Sequence, residues 1–398
     1  MNKAFDLLVY GASGFTGRLV VEYLLKQYGP PSSAPGGLRW AMVGRSLEKL
    51  ATVRSELGAP DTLPLIAADA SDPVALKAMV QSTKVVLTTV GPYQLYGEPV
   101  VAACAAYGTD YVDLCGEPAW MRLMIDAHEE AAKKSGARIV FSCGFDSIPF
   151  DLGVWFLQQQ FMAKFAQPAP RVKGRVRKMK GTFSGGTAAS MKATMAAAAA
   201  DPKILDLLKN PFSLTPGFAG PAQPHDMKPM FDESIQSWVA PFVMAPINTR
   251  NVHRSHALLG HPWGKDFVYD EMFITGPGEK GEAVANAMAS DRSMSSKEGP
   301  KPGEGPSREE RENGYYDLMF LGERRLDNGE VQRLSVTVKG DRDPGYGSTS
   351  KMIAEAALCL LREDLSARGG LWTPGALMPE VLMKRLRQHA GISFSLDA

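Results

Sequence analysis

Residues 7–17 read Leu-Leu-Val-Tyr-Gly-Ala-Ser-Gly-Phe-Thr-Gly, and this stretch decides the fold. The apolar run that ends at Tyr10 has the composition of a buried strand, and the amphipathic stretch after the quoted residues predicts a helix. Gly11, Gly14 and Gly17 lie between the two elements at a spacing of three. A glycine-rich turn that joins a strand to a helix is typical of the dinucleotide-binding fingerprint, in which phosphates lie at the helix N-terminus.

The three glycines have different expected roles. Gly11 permits the tight turn, Gly14 lets backbone amides approach a pyrophosphate, and Gly17 allows the helix to pack closely on the sheet. The other predicted cofactor-binding residues of this turn are Ser13, Phe15 and Thr16. A glycine-rich turn without a ligand is the alternative, and the position of the turn between a strand and a helix favours the cofactor.

Strand and helix patterns alternate along the first 150 residues. Short apolar runs predict six strands, at Leu7–Tyr10, Trp40–Val43, Leu63–Ala67, Val85–Thr89, Tyr111–Leu114 and Arg138–Phe141. Amphipathic stretches between them predict helices, so the strands should form a parallel sheet with helices on both faces. Six strands match the doubly wound order that binds dinucleotides. We therefore expect a Rossmann domain over residues 1–150.

The end of the second predicted strand indicates which dinucleotide binds. An NAD-binding fold usually has an Asp or Glu here, which hydrogen-bonds the ribose 2′-OH. This chain has Gly44 and Arg45 instead, and a guanidinium can hold a 2′-phosphate through two N–H groups. Ser46 can cap the next helix and donate to the same phosphate, and Lys49 lies one turn on. The pattern predicts NADP(H) as the cofactor, with a solvated arginine and a capping serine as the alternative.

Further site candidates follow the third and fourth predicted strands. Asp69 follows the third and is predicted to contact the adenine, with helix capping as the alternative. Gly91 and Pro92 follow the fourth, where they should shape the backbone against the nicotinamide, because ligands bind beyond the carboxyl ends of such strands. Tyr93 and Tyr96 are the nearest phenols, and either could donate a proton or only pack.

A basic stretch begins the second half of the chain. Arg171, Lys173, Arg175 and Arg177 recur at a period of two, so one face of a predicted strand is cationic. A solvated sheet face is the common cause of such a pattern. The alternative is docking of an acidic partner, such as an acyl carrier protein.

A hairpin signal identifies the second domain. Tyr315–Arg325 and Glu330–Lys339 flank Asn328-Gly329, and Asn-Gly is a strong hairpin turn. These antiparallel strands, together with the basic strand, predict an α+β second domain with a mainly antiparallel sheet. We expect it to be inserted over residues 151–343, with the helices of 344–398 returning to the Rossmann domain.

Composition excludes several classes of protein. The 398 residues carry 44 Lys and Arg against 43 Asp and Glu, and this balance argues against a nucleic-acid binder. The four cysteines are not spaced as a zinc knuckle or a redox pair, and the six histidines lack ligand spacing, so no metal site is predicted. No targeting segment or membrane-spanning run is visible. We expect a cytoplasmic protein, and peripheral membrane contact stays open.

Several motifs resemble those of a known family. Gly11–Gly17, Gly44-Arg45, Val90–Tyr93, Val112–Glu117 and Cys143–Pro149 resemble the saccharopine dehydrogenase-like family. Ser184–Thr187, Gly303–Ser307 and Gly345–Ser348 resemble its trans-acting enoyl reductase branch. The resemblance covers nearly the whole chain. It implies a Rossmann domain with an α+β domain that covers the cleft and often supports a homodimer.

The branch also implies an activity. It implies that NADPH reduces a carbon–carbon double bond conjugated to a thioester, on an acyl substrate carried by a polyketide synthase or its acyl carrier protein. The candidate catalytic acids are Tyr93, Tyr96 and Asp146, and the alternative role of Asp146 is to cap the helix that begins near Pro149. Two other functions stay open, namely oxidation or reduction of a C–N bond in an amino acid, and NADP(H) binding without turnover by an interaction protein.

Overall fold

The computed structural model describes residues 3–182, 185–224, 227–291 and 304–397. Within these ranges the strands form two seven-stranded sheets. The first, called the nucleotide sheet here, contains β1 (Phe5–Tyr10), β2 (Trp40–Gly44), β3 (Leu65–Ala67), β4 (Thr83–Thr88), β5 (Asp110–Val112), β6 (Arg138–Val140) and β13 (Gly370–Trp372). The second sheet contains β7 (Arg171–Lys180), β8 (Met230–Asp232), β9 (Ser237–Pro241), β10 (Val268–Gly276), β11 (Tyr315–Arg325), β12 (Val331–Gly340) and β14 (Ile392–Leu396).

The nucleotide sheet has Rossmann topology. Its strand order is β13-β6-β5-β4-β1-β2-β3, and its strand pairs are parallel. The run from β3 to β6 is the doubly wound dinucleotide-binding order, so the predicted α/β fold class is confirmed. Helices on the two faces bury the central strands, which explains why β1 and β2 read as almost continuous apolar runs.

The helices of the first half follow the predicted alternation. They are α1 (Phe15–Tyr28), α2 (Leu47–Glu56), α3 (Pro73–Ser82), α4 (Tyr93–Tyr96), α5 (Glu98–Tyr107) and α6 (Pro118–Ser135). Several begin or end at the residues expected from helix chemistry. Asp72 caps α3 by accepting from the amides of Val74 and Ala75, and α6 ends at Gly136 in the left-handed conformation.

The second sheet is mixed and mainly antiparallel, as predicted. Its order is β14-β12-β11-β7-β10-β9-β8, and β7 pairs in parallel with β10, whereas the other pairs are antiparallel. The predicted hairpin is β11–β12, and Gly329 lies in its turn with a φ of 86°. The helices of this part are α7 (Ile148–Phe165), α8 (Gly185–Ala200), α9 (Pro202–Lys209), α10 (Ala245–Leu258), α11 (Gly278–Ser290) and α12 (Arg308–Glu312).

The cations of the basic face of β7 are paired within the protein. Arg175 is 2% exposed and forms ion pairs of 2.8 Å with both Asp232 and Asp270. The flanking cations are paired as well. Arg171 pairs with Asp270, Lys173 with Asp232 and Glu323, and Arg177 with Asp317 and Asp397. The interpretation as a solvated face is therefore wrong at Arg175, because carboxylates from distant parts of the chain neutralise it, and docking of an acidic partner stays a prediction.

The C-terminal residues contribute to both sheets. After a π-helical turn at Pro344–Ser348, α13 (Thr349–Arg362) contacts α1 and β4. The chain then adds β13 beside β6, continues through α14 (Pro374–Leu377), α15 (Pro379–Arg385) and a second π-helical turn at Leu386–Ala390, and ends with β14 beside β12. The two sheets are thus joined by the last part of the chain, while the boundaries at residues 150 and 343 stay a prediction.

Candidate active site

The glycine-rich turn is packed so tightly that only glycine fits at two of its positions. Gly11 has a φ of 90° and its amide donates to the Val43 carbonyl at 2.9 Å. A Cβ at Gly11 would lie 2.7 Å from Val90 Cγ2, and a Cβ at Gly17 would overlap the Gly11 carbonyl oxygen. The turn therefore lies against the ends of β2 and β4, at the carboxyl edge of the sheet.

The N-terminus of α1 has the properties of a phosphate site. Gly14 is the exposed N-cap residue, and it has no side chain to cap the first turn. The first amides of a helix have no partner within the helix, and together with the helix dipole they attract anions. Ser13 and Thr16 place half-buried hydroxyl groups beside these amides. This cradle fits the pyrophosphate of a dinucleotide.

Segments from the second half of the chain cover the glycine-rich turn. The Phe15 ring packs edge-on against Tyr346 with a centroid distance of 5.2 Å, and the Arg311 guanidinium lies 5.6 Å from the same ring. A Cβ at Gly305 would lie 2.5 Å from Phe15 Cε1. The cleft is therefore closed on one side by the segments around 305–311 and 346. Ser184 and Gly303, which belong to two of the family-like motifs, lie outside the described residues.

The residues predicted to select the cofactor lie together after β2. Arg45 is exposed, and in the described part of the chain its side chain forms no hydrogen bond or ion pair. Ser46 caps α2 by accepting from the Lys49 amide at 3.2 Å, which leaves its own hydroxyl proton free to donate. A Cβ at Gly44 would lie 3.6 Å from Ser13 Oγ. The arginine therefore stands beside the glycine-rich turn with its charge available.

Asp69 faces this group from the end of β3. Its Oδ1 accepts from the amide and the hydroxyl of Ser71 at 2.9 and 2.7 Å. These bonds, with a smaller contribution from Arg45, lower the pKa of Asp69. Asp72 caps the following helix instead, so the capping alternative for Asp69 is not observed. Its contact with the adenine stays a prediction.

Tyr93 is fixed in the edge of the nucleotide sheet. Its hydroxyl donates to the Thr88 carbonyl at 3.3 Å and accepts from the Leu114 amide at 3.0 Å. Burial raises its pKa well above the ordinary value. These contacts give Tyr93 a structural role in this conformation. Tyr96, at the end of α4, is exposed, and the catalytic roles of both phenols stay predictions.

Two buried carboxylates accept hydrogen bonds from backbone amides of the loops at this edge of the sheet. The sequence analysis did not single them out. Asp113 Oδ1 accepts from the amides of Cys115 and Ser142, both at 2.9 Å. Glu117 accepts from the amides of Tyr93 and Gln94, also at 2.9 Å. The sequence signal for Asp113 is an acidic residue directly after a short buried strand. The stretch that contains both carboxylates, Val112–Glu117, was noted only as a family-like motif.

Asp146 lies in the loop between β6 and α7. Among the described residues nothing hydrogen-bonds its buried Oδ1. Burial raises the pKa of this carboxyl to about 7. The helix α7 has Ser147 as its N-cap residue, so Asp146 does not cap it. The neighbouring Ser147 hydroxyl accepts from Asn251 Nδ2 at 2.8 Å.

Helix α8 lies over the loop that follows β4. A Cβ at Gly91 would lie 3.8 Å from Ser190 Oγ, and Gln94 Nε2 donates to Thr194 Oγ1 at 3.0 Å. Gly91 is exposed and Pro92 is half-buried. The structure thus brings the predicted nicotinamide residues and α8 together, which forms a second wall of the cleft.

The described residues contain neither a candidate metal cluster nor a helix that could span a membrane. In residues 3–182, 185–224, 227–291 and 304–397 no three His, Cys, Asp or Glu side chains cluster in a way that could hold a metal ion. Over the same ranges no helix combines the length and the apolar character needed to cross a bilayer.

Comparison with known proteins agrees with this geometry. Residues 7–140 match the model of the saccharopine dehydrogenase NADP binding domain. A putative trans-acting enoyl reductase of Mycobacterium tuberculosis is 40% identical over 421 residues, which cover 98% of this chain and 97% of the relative. A trans-acting enoyl reductase of Mycobacterium ulcerans is 36% identical over 418 residues, with 97% and 96% covered.

A solved structure shares the fold at low identity. Apo saccharopine dehydrogenase (L-Glu forming) from Saccharomyces cerevisiae superimposes with a TM-score of 0.55 at 11% identity, over 99% of this chain and all of that one. At this identity the similarity describes the fold alone.

Proposed function

The chain belongs to the saccharopine dehydrogenase-like family, in its trans-acting enoyl reductase branch, and from that premise we propose that it uses NADPH to reduce a carbon–carbon double bond conjugated to a thioester. The observation that carries the proposal is the 36–40% identity, over nearly the whole chain, to relatives named trans-acting enoyl reductases. The matched NADP binding domain supports the cofactor.

The residues of the cleft fit NADP(H). The amides that begin α1 would hold the pyrophosphate, since Gly11 and Gly17 leave no room for side chains there. Arg45, Ser46 and Lys49 would hold the 2′-phosphate. Gly91 and Pro92 would lie against the nicotinamide, and when bound the cofactor supplies the hydride.

Asp146 is the proposed acid. Reduction of the double bond adds one proton at the carbon next to the thioester carbonyl. A carboxyl with a pKa of about 7 holds that proton in a large fraction of molecules at neutral pH, and its Oδ1 is not engaged by another described residue. Tyr93 already donates its proton to Thr88, which favours Asp146 over that phenol.

The substrate is proposed to be an acyl chain carried as a thioester, on an acyl carrier protein or a polyketide synthase. The names of the relatives support a carrier-bound substrate. Pairing of the β7 cations within the protein argues against that strand as the docking surface. A homodimer and a cytoplasmic location stay predictions.

The test is NADPH oxidation, followed by its absorbance, with crotonyl and longer enoyl thioesters. The wild type should turn over, and kcat should fall as the pH rises through about 7, because the protonated form of Asp146 is the active one. Asp146→Asn should lose roughly 100-fold or more in kcat, with NADPH affinity unchanged and the alkaline fall absent.

Asp151→Asn is the matched control. Asp151 is also a buried carboxyl whose pKa burial raises to about 7, but it accepts from the Gly375 amide at 2.7 Å. It should keep its activity at temperatures where it is folded. Turnover of imines or saccharopine without thioesters would favour the C–N oxidoreductase, and tight NADPH binding without any turnover would favour the interaction protein.

A further inference from the structure

A cavity of about 460 Å³ lies next to the loop that follows β4. Apolar side chains from three helices form much of its wall: Trp120, Leu123 and Met124 of α6, Ala197 of α8 and Ile204 of α9. Gln94 of α4 also lines it. Small-molecule sites usually measure about 300–1,000 Å³ and have mostly apolar walls, so the volume suits a ligand.

One face of α8 connects this cavity to the candidate active site. Ser190 is the α8 residue closest to Gly91, Thr194 accepts from Gln94, and Ala197 lines the cavity. Positions four and three apart lie on the same side of a helix. Because a helix rises about 1.5 Å per residue, this face extends roughly 10 Å from the expected nicotinamide end of the cleft.

Two of the three helices around the cavity, α8 and α9, bury little of their apolar surface. Gly185 is the only buried residue of α8, and α9 has no buried residue. Met195 of α8 is 66% exposed, and Leu205 of α9 and Leu123 of α6 are also exposed. An amphipathic helix normally covers its apolar stripe, whereas α8 and α9 leave apolar side chains exposed beside the cavity.

We propose that this cavity, the α6–α8–α9 pocket, holds the apolar chain of the acyl thioester during reduction, so that longer chains are preferred to short ones. The inference rests on the proposed function. Glu98 and Glu117 also line the pocket, and two carboxylates disfavour an anionic occupant such as a free fatty acid or an acidic helix. An uncharged acyl chain is not repelled by these carboxylates. Its thioester can lie in the cleft while the chain follows α8 into the pocket.

The experiment fills the pocket and measures chain-length preference. Ala197→Trp is assayed with crotonyl, octenoyl and dodecenoyl thioesters of N-acetylcysteamine. The ratio of kcat/KM for dodecenoyl to that for crotonyl should fall about tenfold or more, because each buried methylene contributes roughly fourfold in affinity. Calorimetry with the saturated dodecanoyl thioester should show the same loss of affinity.

Ala199→Trp is the matched control, with the same substitution on the exposed side of α8. It should leave the ratio unchanged. Ile204→Trp narrows the pocket from α9 and repeats the test if Ala197→Trp does not fold. An unchanged ratio in the two pocket variants, or an equal loss for every chain length, overturns the inference.

The two proposals fail in different ways. If the wild type reduces crotonyl thioester but the pocket variants keep their chain preference, the reaction stands and the pocket assignment falls. If the wild type reduces no thioester, the proposed reaction falls. Calorimetry with the saturated thioester then still decides whether the pocket binds an acyl chain.

Discussion

Two groups of cations look alike in the sequence and have opposite environments in the structure. Arg175, in the basic stripe of β7, is almost fully buried and bound by Asp232 and Asp270. Arg45, at the end of β2, is exposed, and among the described residues no carboxylate pairs with it. The first charge is already neutralised within the protein, whereas the second is available to an anion.

The difference shows what decides whether a cation can bind a ligand. A guanidinium inside a protein must be paired, since an isolated buried charge is very costly. Burial would raise the pKa of Asp232, but Arg175, Ser234 and Lys173 outweigh it and hold that pKa well below its ordinary value. The charge of Arg45 does not carry this cost, because the side chain is exposed to water until the cofactor binds.

The largest effect should come from removing the buried charge. Arg175→Met leaves Asp232 and Asp270 with Lys173 and Arg171 as their cationic partners. Breaking a buried pair on one side typically costs about 3–5 kcal/mol, so we expect a loss of that size in the free energy of unfolding, measured by denaturant titration at neutral pH.

The pH dependence of this loss follows from the depressed pKa of Asp232. Stability from a depressed carboxyl is fully present above the unfolded pKa of about 4 and is lost as the pH falls towards the folded one. The difference between Arg175→Met and wild type should therefore shrink below about pH 4. NADPH affinity of the folded variant should not change. A loss under about 1 kcal/mol at neutral pH, which is the size expected of an exposed ion pair, would contradict this prediction.

The same substitution at the exposed arginine should give the opposite pattern. Arg45→Met removes the proposed contact with the 2′-phosphate, and a hydrogen bond to a charged group contributes about 1.5–3 kcal/mol. The Kd for NADPH should rise roughly 10- to 100-fold, while the Kd for NADH and the unfolding free energy stay unchanged. Equal losses for both cofactors would place Arg45 on the pyrophosphate, and no loss would remove it from the site.

The sequence was sufficient to predict the structure where the deciding residues lie close together in the chain. The turn from Tyr10 to Gly17, the end of β2 at Gly44 and the hairpin around Asn328-Gly329 are each decided by residues within a few positions of one another. Their backbone conformations follow from glycine chemistry and from strand–helix alternation. The predicted order of β1 to β6 followed from the same local patterns.

The sequence was insufficient to predict contacts between residues that are distant in the chain. Arg175 meets Asp232 across 57 positions and Arg177 meets Asp397 across 220, so the alternation of charge on β7 could not reveal that it is paired. The same reason hid the pocket between α6, α8 and α9, whose walls come from segments around residues 120 and 200.

The smallest effect should come from Lys49, the third residue proposed for the 2′-phosphate. An ammonium on an exposed helix attracts the phosphate as a point charge in water, without the paired N–H geometry of a guanidinium. Exposed charges are also screened, since the Debye length falls from about 10 Å at 0.1 M salt to about 3 Å at 1 M. Lys49→Met should therefore weaken NADPH only a few-fold at low salt, and the difference from wild type should vanish at about 1 M salt.

The ratio of the two Kd values isolates this contribution, because NADH shares every contact except the 2′-phosphate. In wild type the preference for NADPH should decline as salt rises, and in Arg45→Met it should already be small and nearly independent of salt. The unfolding free energy that Arg175 contributes should change little over the same range, because buried pairs are screened much less. A preference for NADPH that is insensitive to salt would indicate a buried phosphate site, and the contrast between the two groups of cations would then not hold.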